Sequence, residues 1–354
     1  MVCTAYMLLA LGQAQLFRGM TQPNPAVGAI AVKDGDIISA GTHRGPGLPH
    51  AEVVCLNSAK DISGSDLYVT LEPCCHHGRT PPCTDIIIEK GIKRVYFAYY
   101  DPNPQVAGKG QQRLIEAGVD CIHLPCDEVD TFYRHYRRFH QKQLPWVTVK
   151  LAVTSDGSVA GKHKEPMMIT GQQANTFTHT KRKHFGAILT TAETLLHDDA
   201  LLNVRLNGYS LSKPVFIIDR QLRLTSSLRI WGSAQKIVVF HSHSVSPSTD
   251  MRLNEKCHTV PIADEQGGLA IKDMVAHISS MGYHDVWCEF GPVMFYGFIR
   301  AGLVNQICIY VAKKLGGEGA YKLYQQYQLG DGMPGEFSIT DLGDDTLFSW
   351  LRSE

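Results

Sequence analysis

Two short stretches about twenty residues apart carry the groups best able to do chemistry. His50-Ala51-Glu52 supplies an imidazole with a carboxylate two residues on. Pro73-Cys74-Cys75-His76-His77-Gly78-Arg79-Thr80-Pro81-Pro82-Cys83 supplies sulfur and nitrogen donors. One histidine nitrogen and two thiolates form a zinc ligand set with an open fourth position, where a water molecule is activated for attack. His50, Cys74 and Cys83 are the expected ligands, and Glu52 the catalytic acid/base beside them. Cys75, His76 and His77 are alternative donors, since Cys74 and His77 have the spacing of a ligand pair. A closed structural zinc knot is the competing reading, but such a site has no use for a free carboxylate next to its histidine.

The elements that must position these groups alternate helix and strand. Val2 to Arg18 reads as an amphipathic helix ending near Gly19, and Val27–Lys33 and Ile37–Ala40 flank an Asp34-Gly35 hairpin turn. A helix follows His50, and Leu67–Leu71 is a buried strand that delivers Glu72-Pro73-Cys74 at its carboxyl end. Thr84–Lys90 is helical up to Gly91, and Arg94–Tyr99 is a further strand. The result is one sheet with helices around it and the metal ligands at helix N-termini, where the dipole favours thiolate. Glu128–Lys142 reads as a polar and aromatic helix with a solvated face, able to bridge domains. A second α/β unit begins near Leu144, with strands expected at Trp146–Thr154, Val215–Ile218, Lys236–Phe240, Asp285–Glu289 and Gln306–Val311. An Asp156-Gly157 turn, a Gly291-Pro292 helix start and a surface loop over Ser242–Thr249 complete this reading.

Composition narrows the partners. The chain has 354 residues, enough for two cores, and its Lys+Arg and Asp+Glu totals are both 34. That balance argues against a nucleic acid or a membrane surface as the main partner and for a small-molecule substrate. Ten cysteines in a chain of this length are not a disulfide framework. The N-terminus lacks a basic leader and no apolar run reaches membrane-spanning length, so a reducing, cytoplasmic location is expected.

The H-x-E and later Pro-Cys resemble the zinc deaminases, in which the glutamate shuttles protons while an amino group leaves a ring carbon. Their usual cysteine spacing is C-x2-C, whereas eight residues separate Cys74 from Cys83 here. The longer pattern accounts for that departure. Pro23-Asn24-Pro25, His50-Ala51-Glu52, Thr70-Leu71-Glu72-Pro73-Cys74, His77 to Cys83 and Asp101-Pro102-Asn103-Pro104-Gln105-Val106-Ala107-Gly108 stand in order. Lys150-Leu151 before Ser155-Asp156-Gly157, Ala187-Ile188-Leu189-Thr190, Asp198-Asp199 with Arg205, and Glu289-Phe290-Gly291-Pro292 follow. With these marks the chain resembles the bifunctional deaminase/reductase family of riboflavin biosynthesis along nearly its whole length.

The resemblance implies a cytidine-deaminase-like αβα sandwich over residues 1–143 and a dihydrofolate-reductase-like α/β domain over 144–354. It implies zinc and NADPH as cofactors, and a phosphorylated aminopyrimidine that loses its 2-amino group before its ribosyl chain is reduced to ribityl. Asn24, His43, Arg79, Asp101 and Asn103 would line the deaminase pocket. Arg182 and Arg205 would hold the substrate phosphate in the second domain, Leu202 and Glu289 would also bind substrate, and Lys150 and Asp198 would be catalytic. Ala152, Met168, Thr194, Asp198 and the run Gly291, Pro292, Val293, Met294, Phe295, Tyr296 and Gly297 would hold the cofactor. A homodimer or larger homo-oligomer formed through the second domain is also implied. Several residues depart from the family pattern. Pro166 replaces a phosphate-contacting hydroxyl, Met168 replaces an aromatic, and Phe290 stands where a small or acidic residue is usual. Ala26 and His43-Arg44-Gly45-Pro46 also differ. A deaminase with an altered reductase half therefore stays open beside the bifunctional reading. A zinc-stabilised nucleotide-binding scaffold is disfavoured by Glu52, which a scaffold would not need.

Overall fold

A computed structural model of the protein describes residues 2–76, 81–103, 107–163, 165–247, 255–265, 267–322 and 334–353. Two compact units meet in sequence at Leu144 and Pro145, one residue beyond the expected boundary.

The first unit runs α1 (Val2–Leu16), β1 (Gly28–Lys33), β2 (Asp36–Thr42), α2 (Ala51–Ser58), β3 (Asp66–Leu71) and α3 (Cys83–Glu89). It continues with β4 (Arg94–Tyr99), α4 (Lys109–Glu116), β5 (Asp120–His123) and α5 (Asp127–Lys142). The strands form one sheet in the order β2-β1-β3-β4-β5. β1 is antiparallel to both β2 and β3, and β3, β4 and β5 are mutually parallel. Asp34 (φ 53°) and Gly35 (φ 90°) make the expected tight turn with positive φ at both positions. Strand alternation sorts the core onto two faces. Ile30, Val32 and Tyr68 pack with Met7, Leu11, Val129, Phe132 and Tyr133 of α1 and α5. Ala29, Ala31, Leu67 and Val69 pack with Cys55, Leu56, Ile87 and Leu114 of α2, α3 and α4. This is the expected αβα sandwich.

Two helices differ from expectation. The outer side of α1 carries Leu8, Leu9 and Leu16, all exposed, so the helix is apolar on both sides rather than amphipathic. The α5 helix is more than a solvated face. Val129, Phe132, Tyr133 and Tyr136 recur at helical spacing and are buried on the sheet of the first unit. Its charged residues occupy the other side, and it ends at Gln143 in the left-handed conformation.

The second unit contains β6 (Trp146–Thr154), β7 (Ser158–Lys162), α6 (Gln172–His184), β8 (Ala187–Thr191), α7 (Ala192–Asp198), β9 (Val204–Leu206), β10 (Tyr209–Leu211) and β11 (Pro214–Ile218). Then come α8 (Ile230–Ser233), β12 (Lys236–Ser242), β13 (Cys257–Ile262), β14 (Asp264–Glu265), β15 (Gly268–Leu269), α9 (Ile271–Ser280), β16 (Asp285–Glu289) and α10 (Pro292–Arg300). The chain closes with β17 (Gln306–Ala312), β18 (Ala320–Lys322), β19 (Gly335–Leu342) and β20 (Asp345–Arg352). The main sheet has the order β13-β12-β11-β8-β16-β6-β17-β20-β19. It is parallel from β13 to β17, and the last two strands add an antiparallel hairpin. The strands named in advance are all present; β13, the β19–β20 hairpin and α9 were not anticipated. Among the described residues no helix is long and apolar enough to cross a membrane.

Candidate active sites

His50 is the N-cap of α2, and the first turn of that helix turns Glu52 inward, where it is 4% exposed. Cys83 is the first residue of α3. Cys74 lies in the segment after β3 rather than at a helix N-terminus, so only two of the three expected ligands have the predicted placement. The Cys83 backbone N–H reaches the Cys74 sulfur at 3.4 Å, and the Thr84 N–H reaches the Cys74 carbonyl at 3.2 Å. The start of α3 thus serves both sulfurs.

The three donor atoms lie within 4.8 Å of one another. His50 Nδ1 is 3.2 Å from Cys83 Sγ and 3.6 Å from Cys74 Sγ. Tetrahedral zinc with ordinary Zn–N and Zn–S bonds separates such atoms by about 3.6 Å. The residues present therefore fit zinc. The protonation pattern fits as well. A hydrogen bond with Cys83 brings the Cys74 thiol down to about 4, and that with Cys74 lifts His50 above its ordinary value. Burial holds the Glu52 carboxyl above the usual carboxylate range, as suits a proton shuttle.

A cavity of about 350 Å3 opens beside these ligands, lined in part by Asn24, His43, Glu52, Asp101, Asn103 and Tyr136. His43 Nδ1 donates to the Pro49 carbonyl at 3.1 Å, which leaves Nε2 to accept from Asn24 Nδ2 at 3.2 Å. Burial lowers the His43 pKa and keeps that neutral tautomer. Asp101 Oδ1 accepts the Asn103 N–H at 2.9 Å and the Tyr136 hydroxyl at 3.3 Å, and burial pushes its carboxyl up to about 6. Tyr136 was missed from the sequence. Its hydroxyl was hidden within a helix whose charges dominated the reading, although the spacing from Phe132 already marked an inward face. His76 also lines the cavity, while Arg79 and His77 lie outside the described residues.

The second unit places Lys150 midway along β6, Glu289 at the end of β16 and Asp198 at the end of α7, which follows β8. Lys150 on β6 pairs in register with Glu289 on β16, and its ammonium is 5.5 Å from the Tyr310 ring. Burial lowers the Lys150 pKa, against the opposing pull of Glu289 and Asp198. Glu289 does not face outward. Its Oε1 accepts Arg182 Nε at 2.6 Å and Trp287 Nε1 at 2.9 Å, and its Oε2 accepts Arg182 Nη2 at 2.9 Å. Arg182 and Glu289, both 9% exposed, are thus committed to one another. Leu202 is buried at φ 46°, and Arg205 is exposed just beyond it. Asp198 ends α7, which Thr191 caps through the Thr194 N–H at 3.2 Å.

Gly291 caps α10, and Pro292 occupies its first position. Exposed Gly291 and Val293 leave the helix start open to an anion, the feature that fits a dinucleotide pyrophosphate. Pro292, Met294 and Gly297 are partly exposed, as is Ala152 on β6. Phe295 (0% exposed) and Tyr296 (5%) point into the core, so only their backbone is available. Met168 is 82% exposed, and its carbonyl accepts from the Lys314 ammonium. Pro166 is exposed, and Phe290 packs on Phe298 with ring centroids 5.2 Å apart.

Residues 3–99 match the cytidine and deoxycytidylate deaminase zinc-binding region, and residues 145–339 match the RibD C-terminal domain. The chain belongs to the RibD family. The riboflavin biosynthesis protein RibD of Escherichia coli K12 is 36% identical over 329 residues, 89% of each protein. Its counterpart in Aquifex aeolicus is 34% identical over 89% of this chain and 88% of its own. The solved structure of Acinetobacter baumannii RibD superposes with a TM-score of 0.86 at 29% identity, covering 100% of this chain and 99% of that one. A Thermotoga maritima diaminohydroxyphosphoribosylaminopyrimidine deaminase/5-amino-6-(5-phosphoribosylamino)uracil reductase gives 0.84 at 28% identity over 99% of both chains. This RibD-family protein is an enzyme of riboflavin biosynthesis with deaminase and reductase activities, zinc and NADPH as cofactors and a small-molecule substrate.

Proposed function

We propose that residues 1–143 deaminate a diaminopyrimidine carrying a ribosyl 5-phosphate and that residues 144–354 reduce the product's ribosyl chain to ribityl. The observation that carries the first step is the His50/Cys74/Cys83 triad with buried Glu52 two residues along the same helix start. His50, Cys74 and Cys83 hold the zinc, which when bound supplies Lewis-acid activation of the attacking water. Glu52 takes a proton from that water and returns it to the departing amino nitrogen, so that ammonia leaves and a carbonyl remains. Asn24, His43, Asp101 and Asn103 meet the polar edges of the pyrimidine, and Arg79 meets its phosphate.

In the reductase, NADPH supplies the reducing equivalent. The open start of α10 takes its pyrophosphate, with Ala152, Met168, Thr194 and Asp198 along the rest of the cofactor. Opening the ribose places a proton on the ring oxygen, and Lys150 is the acid, held by the Glu289 and Asp198 charges. Arg205, with Arg182, meets the substrate phosphate, Leu202 lies against the substrate, and Glu289 holds Arg182 through their shared ion pair. Pro166 and Met168 remove one donor and one aromatic face from this pocket. A lost hydrogen bond to a charged group is worth ~1.5–3 kcal/mol, which weakens a site without abolishing it. The setting proposed is cytoplasmic; among the described residues no helix is long and apolar enough to cross a membrane.

Incubating the purified protein with the diaminopyrimidine phosphate and NADPH, and following ammonia and NADPH separately, tests both halves. Ammonia release followed by NADPH oxidation is expected. Ammonia without NADPH oxidation would leave only the deaminase reading.

A further inference from the structure

Two arginines of the reductase unit approach one buried residue, Asn203, which is 8% exposed. Its carbonyl oxygen accepts a hydrogen bond from Arg182 Nη1 at 3.1 Å, and its Oδ1 accepts one from Arg205 Nη1. The other end of its amide donates to Ser210 Oγ at 3.1 Å, which fixes the oxygen toward the guanidinium. The backbone supports the same placement. Leu202 holds a left-handed φ of 46° immediately before Asn203, and the Arg205 N–H donates to His179 Nδ1 at 3.2 Å.

The two cations differ in what they have left to offer. Arg182 is buried and neutralised by Glu289 through two hydrogen bonds, and Glu289 is itself held by Trp287. Arg205 is exposed, and Asn203 is the one hydrogen-bond partner of its guanidinium among the described residues. Burial and then the neighbouring Arg182 charge lower the Arg205 pKa.

We infer that Asn203 is a positioning residue of the reductase: it aims Arg205 at the substrate phosphate and ties it to the Arg182–Glu289 pair. This rests on the proposed phosphate role of Arg205.

The test is steady-state reduction by the full chain with NADPH. Two substrates are compared, the deaminated intermediate with its 5-phosphate and the same compound dephosphorylated. Asn203→Ala is expected to raise KM for the phosphorylated substrate about tenfold or more, equivalent to one lost charged hydrogen bond. Its kcat, its KM for NADPH and its KM for the dephosphorylated compound should stay near wild type. Asn203→Thr keeps a neutral side-chain oxygen near Arg205 and should restore part of the loss. An unchanged KM in Asn203→Ala, an equal loss on both substrates, or no recovery in Asn203→Thr overturns the inference. If Asn203→Ala does not fold, Ser210→Ala at an exposed position unpins the amide and should raise the same KM severalfold; no change there also overturns it. Arg205→Ala separates the two levels, because an unchanged KM for the phosphorylated substrate would reject the phosphate reading itself.

Discussion

Glu72 and Gly110 lock the ligand-bearing segment of the deaminase unit to the start of α4. Glu72 Oε1 accepts the Gly110 N–H at 3.0 Å and the Gln111 N–H at 3.2 Å, and Oε2 accepts the Gly108 N–H at 2.9 Å. The helix start is drawn so close that a Cβ on Gly110 would stand 1.9 Å from the Pro73 carbonyl oxygen. Pro73 precedes Cys74, so relief of that clash on the Pro73 side would move a proposed zinc ligand.

Gly110→Ala is therefore expected to weaken zinc binding and deamination while leaving NADPH oxidation on the deaminated product near wild type. Overpacking of this kind typically costs ~1–3 kcal/mol. Metal content after dialysis and the two separate assays check it. Full zinc retention with normal ammonia release would show that the segment adjusts elsewhere.

Cys83→Ala removes a fully buried sulfur that lies 3.2 Å from His50 Nδ1 and hydrogen-bonds the Cys74 sulfur. Zinc should be lost on dialysis against a weak chelator and deamination with it. Full occupancy in this variant would move the ligand role to Cys75 or His77.

His179 gives the reductase unit an acid-labile point. Burial, then the charges of Arg182 and Arg205, lower its pKa from 6.5 to about 4. The folded state thus favours the neutral ring, which accepts the Arg205 N–H. A histidine with a depressed folded pKa contributes its full stability above its unfolded value and loses it as pH falls. The window runs from 6.5 down to about 4. Thermal melts across that range should show a shallower acid loss for His179→Gln than for wild type. Parallel curves would remove His179 as the cause.

The edge strand β19 exposes Phe337 (77%) and Ile339 (69%), beside half-exposed Phe348 on β20. An apolar edge of this length invites pairing or coverage. We propose that it forms the interface of a homodimer or larger homo-oligomer. Sedimentation of the wild type should show the oligomer, and Phe337→Glu with Ile339→Lys should shift it to monomer. A wild-type monomer would reject the proposal.

The convergence of His50, Cys74 and Cys83 was legible because its parts are local. His50 and Glu52 share one helix start, and Cys74 and Cys83 flank one short segment. The Asp34-Gly35 turn and the parallel strands were legible for the same reason, since turn chemistry and continuous apolar runs act over a few residues. What the sequence hid depends on distance along the chain. Arg182 and Glu289 are 107 positions apart, and nothing local says that their charges neutralise each other. Tyr136 reaches Asp101 across 35 positions from a helix whose surface charges mask its inward stripe. The β19–β20 hairpin escaped notice because β19 is exposed along nearly its whole length, so burial did not pattern it.

Glu52→Gln, assayed in both channels with zinc content measured on the same sample, tests the central claim most directly. The substitution keeps the shape of the side chain and removes its capacity to carry a proton. Zinc should remain, ammonia release should fall by ~10²–10⁴-fold, and NADPH oxidation on the deaminated product should be unchanged. Ammonia release at the wild-type rate with zinc still bound would contradict the assignment of Glu52 as the proton shuttle, and with it the deaminase chemistry drawn from this site.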